Sequence, residues 1–316
     1  MTERIKLPPM KTQHARNFGK VGLVVGGDSA EREVSLNGGR AVAAALERKG
    51  IVHQVYDGPM ALFAGIRQGQ VERVFNILHG PGGEDGSLQG ALQLMGIPVT
   101  GSDLASSALT MDKVRSKWLW QRVGIKTPPF ICFDHSATDY HQAVEKFGLP
   151  LFVKPAGLGS SIGISRVKKA EDLDVAVALA RQYGAITIVE QEVRGAEYFA
   201  GVLDGVVLPL IRVSTPREFY DYGAKYESNE TQYFCPCGLD QAIEAELRAK
   251  SLEAFELLGA CGWGRVDFLL DEQGQAWFLE VNTTPGMTDH SLVPQAAAAI
   301  GVDFDELVWR ILETSL

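Results

Sequence analysis

The chain has 316 residues, 46% hydrophobic and 22% charged, with a formal net charge of -9. That length supports about two or three domains with sizeable cores. The acidic balance excludes a general nucleic-acid or anionic-membrane surface while leaving room for a local basic pocket, and no apolar run approaches the ~20 residues of a membrane span. Cys132, Cys235, Cys237 and Cys261 form no CxxC pair and read as reduced cytosolic thiols. Residues 1–19 are polar and basic without an apolar centre, so they read as a disordered extension rather than a signal peptide.

From Lys20 the pattern alternates between strand and helix. Val21 to Val25 is an apolar strand, Val34 to Lys49 a helix, Ile51 to Tyr56 a strand, Met60 to Gln68 a weaker helix and Val74 to Leu78 a strand. Continuous apolar strands between helices imply a parallel sheet covered on both faces, in a first α/β domain over residues 20–101. A second unit, 102–190, opens with a helix from Thr110 to Val123 and continues with a strand from Phe130 to Phe133. It ends with strands Leu151 to Lys154, Ile164 to Val167 and Ile186 to Glu190, separated by helices. A third unit, 191–316, holds several strands, a helix from Gln241 to Leu258, a hairpin and a final helix from Asp305 to Leu312.

That hairpin carries the sharpest chemical signal. Gly264-Arg265-Val266-Asp267 and Leu279-Glu280-Val281-Asn282 flank a polar turn at Asp271 to Gln275. A turn centred between Gln273 and Gly274 sets Asp267 opposite Glu280 and Arg265 opposite Asn282, all on one face. Opposed carboxylates repel unless a cation lies between them, and oxygen ligands of this kind suit magnesium beside a phosphate.

Other stretches support a nucleotide. Lys154 to Gly163 is a glycine- and serine-rich loop followed by a strand rather than a helix, so it is no Walker A loop; it reads as a hairpin flap whose N–H groups cradle phosphate, or as a plain turn. Lys113 is either a second phosphate contact or a surface lysine. Glu190, Gln191 and Val193 at a strand end offer backbone edges to an adenine, with Glu197 as a ribose ligand; a structural linker reads equally well. Glu31 ends a strand–turn–helix junction, as an amine ligand or as capping chemistry. His79 stands at another strand end, as a structural or a functional histidine. The segment Ser214 to Pro236 is aromatic and lacks periodicity, which suits a lid. Gly286 offers an N–H to an oxyanion, and Ser291 is either a carboxylate ligand or a helix cap.

In one order along the chain, Gly26-Gly27 through Ser35, Leu78 to Gly86, Met111-Asp112-Lys113, Val153-Lys154-Pro155, Gly159-Ser160-Ser161, Ala224-Lys225-Tyr226, Gly264 to Asp267, Glu280 to Thr283, Pro285-Gly286-Met287 and His290 to Pro294 resemble the D-alanine–D-alanine ligase family of ATP-grasp enzymes. The resemblance runs from about Lys20 to the C-terminus. It implies a three-domain ATP-grasp architecture of α/β and α+β class, with ATP between the central and C-terminal domains, and ligation of two D-alanines through an acyl phosphate for peptidoglycan precursors.

By the same resemblance, Asp267, Glu280 and Asn282 hold two magnesium or manganese ions, and Lys113, Lys154, Ser160 and Ser161 contact ATP phosphates. Glu190, Gln191 and Val193 face the adenine and Glu197 the ribose. Glu31 holds the first ammonium, linked through Ser160 to Tyr226, with Val34 and His79 alongside. Arg265 and Gly286 stabilise the tetrahedral species, while Ser291, Leu292 and Lys225 receive the second substrate. The family also implies a cytoplasmic homodimer. Two departures stand out: Ala156-Gly157-Leu158 lacks charged residues common in relatives, and Gln191 replaces a frequent lysine. Tyr226 favours an amine over a hydroxy acid. The alternatives are another ATP-grasp carboxylate–amine ligase, a D-alanine–D-lactate ligase or a nucleotide-binding regulator.

Overall fold

A computed structural model describes residues 5–137, 139–159, 161–217, 230–288 and 290–316. The first sheet is parallel, ordered β2 (His53–Asp57), β1 (Val21–Val25), β3 (Arg73–Asn76). Its strands alternate with α1 (Arg32–Arg48), α2 (Gly58–Arg67) and, beyond the glycine-rich loop, α3 (Ser87–Leu94). Successive side chains of β1 enter opposite cores. Leu23 and Val25 join one with Val42 and Phe75, while Val24 joins another with Leu62 and Leu88. Helix α1 lies so close to β1 that a Cβ on Gly39 would stand 2.4 Å from Val25 Cγ1.

The middle sheet is antiparallel in the order β4 (Phe130–Phe133), β7 (Thr187–Gln191), β5 (Leu151–Pro155), β6 (Ser165–Val167). α6 (Gln142–Phe147) and α7 (Leu173–Arg181) accompany it, and Leu173 and Val177 of α7 meet Leu151 and Val153 in its core. The β5–β6 pairing, Leu151 opposite Val167 and Val153 opposite Ser165, makes the glycine-rich loop a hairpin tip as the sequence implies.

The third sheet runs β11 (Gln232–Phe234), β10 (Ile211–Ser214), β8 (Gly195–Leu203), β12 (Trp263–Asp271), β13 (Ala276–Asn282), with β9 (Val206–Val207) on β8. α8 (Gln241–Leu257) covers one face, with Phe255 against Phe268 and Phe278. α9 (Leu292–Ala298) and α10 (Phe304–Glu313) close the chain. Among the described residues no helix is long and apolar enough to cross a membrane, and all four cysteines are free.

Four expectations are corrected. The helix read from Thr110 to Val123 is two, α4 (Leu104–Met111) and α5 (Lys113–Arg122), because Asp112 ends one and caps the other by accepting from Arg115 N at 2.9 Å. Both helices contact the third sheet and not only the middle one they precede: Val114 of α5 packs with Ile188 and Phe130 of the middle sheet, while Trp120 joins Phe255 and Phe278 and donates to Ala254 O at 3.0 Å. The stretch from Ser214 to Pro236 is not wholly aperiodic, since β11 lies within it.

The fourth concerns the N-terminal extension, whose described residues pack against the fold. Thr12 N donates to Glu313 Oε1 at 2.8 Å, Trp309 Nε1 donates to Thr12 O at 3.1 Å, and Phe18 is fully buried edge-on against Trp309. Its polar composition hid this, because backbone groups make most of those contacts. Glu313 is buried and also accepts from Trp309 Nε1 at 3.1 Å. Glu313→Ala therefore strands the buried Thr12 N–H and leaves Trp309 Nε1 only its bond to Thr12 O, and we expect it to destabilise the fold by about 1–3 kcal/mol. A thermal melt checks this; an unchanged midpoint contradicts it.

Candidate active site

The hairpin of β12 and β13 pairs Arg265 with Asn282, Val266 with Val281 and Asp267 with Glu280, as the sequence predicts. The route differs from a regular hairpin. Nearer the turn Phe268 pairs with Phe278 and Leu270 with Ala276, so Leu279 is an extra residue on β13. This one-residue bulge restores the register that sets the two acids opposite each other.

Each acid has a cationic partner within the fold. Arg265, two residues along the same face, donates to both Asp267 oxygens at 2.6 and 2.7 Å, and Asn282 Nδ2 donates to Asp267 Oδ2 at 3.2 Å. Lys113 Nζ lies 3.0 Å from Glu280 Oε2 and donates to Leu158 O of the glycine-rich loop at 2.7 Å. The break at Asp112 places Lys113 there, so the lysine is buried rather than a surface residue.

These groups edge a cleft of ≈ 660 Å³ between the middle and third sheets. Lys113, Lys154, Ser161, Glu190, Gln191, Val193, Glu197, Asp267 and Glu280 all line it, so most of the residues read as nucleotide ligands converge there. Behind this wall lies a group the sequence reading missed. Lys117 of α5 is fully buried, donates to Thr127 Oγ1 at 2.5 Å and sits 2.9 Å from Glu190 Oε1, while Lys154 Nζ sits 2.6 Å from Glu190 Oε2. The Lys117–Glu190 approach is a charge contact, not an aligned hydrogen bond. Burial pushes Lys117 down to about 8 against the opposing pull of Glu190. Burial pushes the Glu190 carboxyl up, but Lys117 and Lys154 outweigh it and hold the group below its ordinary range. Lys117 stands one helical turn after Lys113 on the apolar face that carries Val114 and Trp120, which was the available signal.

A second compartment lies beyond. Glu31 begins α1 without capping it, and its buried carboxylate turns toward the loops at Gly80 and Gly159. Gly80 is left-handed, with φ 71°, and a Cβ there would stand 2.9 Å from Glu31 Oε2. His79 is buried, and the Thr284 backbone favours its charged form. Desolvation drives its imidazole down to about 4, and Arg265 pushes the same way against Thr284.

Glu84, also missed, accepts from Gly80 N at 2.7 Å and is pushed up to about 8 by burial and then by Glu31. Nothing in its glycine-rich setting distinguished it from its half-buried neighbour Asp85, an ordinary turn acid. A small void of ≈ 10 Å³ is lined by Glu84, Lys113, Gly159, Glu280 and Asn282, residues from both sides.

Ser291 occupies the cap position of α9 but does not cap it. Its Oγ accepts from Thr288 N at 2.9 Å instead, and a Cβ on Gly286 would come within 3.0 Å of it. Leu292 is buried in the first core, and Val34 is half-buried on α1. Ser160, Lys225 and Tyr226, with the other aromatic residues 219–222 of the expected lid, lie outside the described residues.

The site's donor chemistry fits a hard divalent cation, since Asp267, Glu280 and Asn282 offer oxygens on one face beside the cleft. Among the described residues no three His, Cys, Asp or Glu side chains cluster closely enough to hold a metal alone. Phosphate oxygens and water must complete such a site.

Family models for the D-ala D-ala ligase N-terminus and C-terminus match residues 59–102 and 119–313. The chain is 52% identical to D-alanine–D-alanine ligase of Methylococcus capsulatus, covering 96% of this chain and 98% of that protein, and 50% identical to that of Pseudomonas putida, covering 96% of each. Among solved structures it resembles the Bacillus anthracis D-alanine–D-alanine ligase complexed with ATP, with a TM-score of 0.83, 29% identity and coverage of 94% and 97%. The VanG D-Ala:D-Ser ligase of Enterococcus faecalis follows at a TM-score of 0.81 and 28% identity, covering 94% of this chain and 99% of that one. With its acid-bearing hairpin, its cleft between two sheets and these likenesses along nearly its whole length, the chain belongs to the D-alanine–D-alanine ligase family.

Proposed function

We propose that the protein joins two D-alanines into D-alanyl-D-alanine at the expense of ATP. The observation that carries this is the adjacency of two unlike compartments. A cleft with opposed Asp267 and Glu280 lies, across Lys113, beside a buried group of Glu31, His79 and Glu84 on which Arg265 also acts.

A carboxylate is a poor electrophile and must be activated before an amine attacks it. In the cleft, Lys113, Lys154 and Ser161, with Ser160, would hold the phosphates. Backbone groups at Glu190, Gln191 and Val193 would meet the adenine, and Glu197 the ribose. Asp267, Glu280 and Asn282 would hold magnesium or manganese, which supplies charge neutralisation at the phosphoryl oxygens.

In the pocket, the Glu31 carboxylate would bind the first ammonium and fix that substrate with Val34 beside it. Its carboxylate oxygen bonds to the γ-phosphorus as the bond to the β-bridging oxygen breaks, releasing ADP. The second D-alanine, held by Ser291, Leu292, Lys225 and Tyr226, loses a proton from its ammonium and attacks the acyl carbon. Arg265 and the Gly286 N–H stabilise the tetrahedral oxyanion, and inorganic phosphate leaves. Keeping His79 neutral lets it hydrogen-bond in the pocket without adding charge beside Arg265. A place in peptidoglycan precursor synthesis, in the cytoplasm and as a homodimer, rests on the family likeness.

Magnesium-dependent ADP formation that requires D-alanine is the expected assay result; turnover on L-alanine, D-lactate or glycine alone contradicts it. Glu280→Gln should lower turnover at least about a hundredfold while far-UV circular dichroism stays unchanged. Wild-type turnover in that variant contradicts the metal assignment.

The pH behaviour follows from His79. Folded, it titrates near 4, against 6.5 for the free group, so protons favour the unfolded chain between those values. Stability is therefore full above that window and falls as pH drops through it. The melting advantage of wild type over His79→Gln should shrink from pH 6.5 to 4; a constant difference contradicts this.

A further inference from the structure

We propose that Lys117 is a positioning residue for nucleotide binding: it neutralises Glu190 from behind the cleft, leaving Lys154 as a net positive charge for the phosphates. The inference rests on the reading of the cleft as an ATP site.

The geometry is a short buried chain. Thr127 Oγ1, Lys117 Nζ and Glu190 Oε1 are separated by 2.5 and 2.9 Å, and Glu190 Oε2 lies 2.6 Å from Lys154 Nζ. Lys154 lines the cleft, whereas Lys117 is fully buried with its ammonium 5.9 Å from the Phe130 ring centre. Two ammonium groups thus share one carboxylate, and the cluster carries one net positive charge. Removing Lys117 pairs Lys154 with Glu190 alone and leaves no net charge facing the phosphates.

Folding does not explain the lysine. Burying an ammonium costs more than burying a thioether of similar length, and replacing buried ion pairs by apolar groups is often neutral or stabilising. A charge retained there serves its neighbours.

The test uses the full chain with ATP, magnesium and D-alanine. Lys117→Met should raise the KM for ATP at least about tenfold and leave the KM for D-alanine unchanged. Adding Glu190→Gln to that variant restores the net positive charge and should recover most of the loss, which no purely structural role for Lys117 predicts. A lowered melting point with an unchanged KM for ATP, or a double variant as weak as the single, overturns the proposal.

Should Lys117→Met not fold, the Lys117→Gln/Glu190→Gln pair carries the same net charge as wild type. It should bind ATP at least about tenfold more tightly than Lys117→Gln alone, and a folded pair no tighter than that single variant overturns the idea. Lys154→Met separates the two levels. If it leaves the KM for ATP unchanged, the nucleotide reading itself falls; if it raises that KM while Lys117→Met does not, only the role of Lys117 falls.

Discussion

The structure turns on one local constraint, the pairing of Asp267 with Glu280 across an antiparallel ladder. Like charges directly opposite destabilise a sheet. Here the cost is offset from two directions, by Arg265 along the same strand and by Lys113 from the start of α5. Each of those cations also has a second task. Arg265 acts electrostatically on His79 and Glu84 in the adjoining pocket, and Lys113 ties down the glycine-rich loop through Leu158 O. The repulsion between two acids thereby recruits groups from separate parts of the chain to one place.

Packing fixes that meeting point. The first core is shared by β1, α1, α9 and α10, so the parallel sheet carrying Glu31 and His79 is joined to the C-terminal helices rather than hinged away from them. Thr284, just beyond the end of β13, faces the same gap, its backbone acting on both His79 and Glu84. The N-terminal segment adds to this joint through Phe18 and Trp309. The middle sheet has its own core and contributes the opposite wall of the cleft. Substrate groups held by different sheets can react only if those sheets keep a common geometry, and shared burial supplies it.

Much of this was legible in the residues. Period-two alternation and a polar turn located the hairpin and its facing pairs, and apolar runs between helices gave the parallel sheet. The losses have physical causes. The bulge at Leu279 follows from tertiary fit and has no compositional mark. The break at Asp112 was overridden by a continuous helical pattern, although an aspartate followed by Lys113 is a competent cap. Lys117 and Glu84 were hard to read as buried titratable groups because burial depends on partners from distant sequence, Glu190 for one, Glu31 and Thr284 for the other. The N-terminal segment docks through backbone groups, which composition does not report.

The most direct measurement is a crystal of the protein grown with manganese and a non-hydrolysable ATP analogue, with anomalous scattering locating the metal. Peaks within coordination distance of Asp267, Glu280 and Asn282, bridging to the phosphates in the cleft, are the predicted result. Nucleotide bound in the cleft with these three side chains still engaged only by Arg265, Lys113 and each other, and manganese elsewhere, contradicts the account.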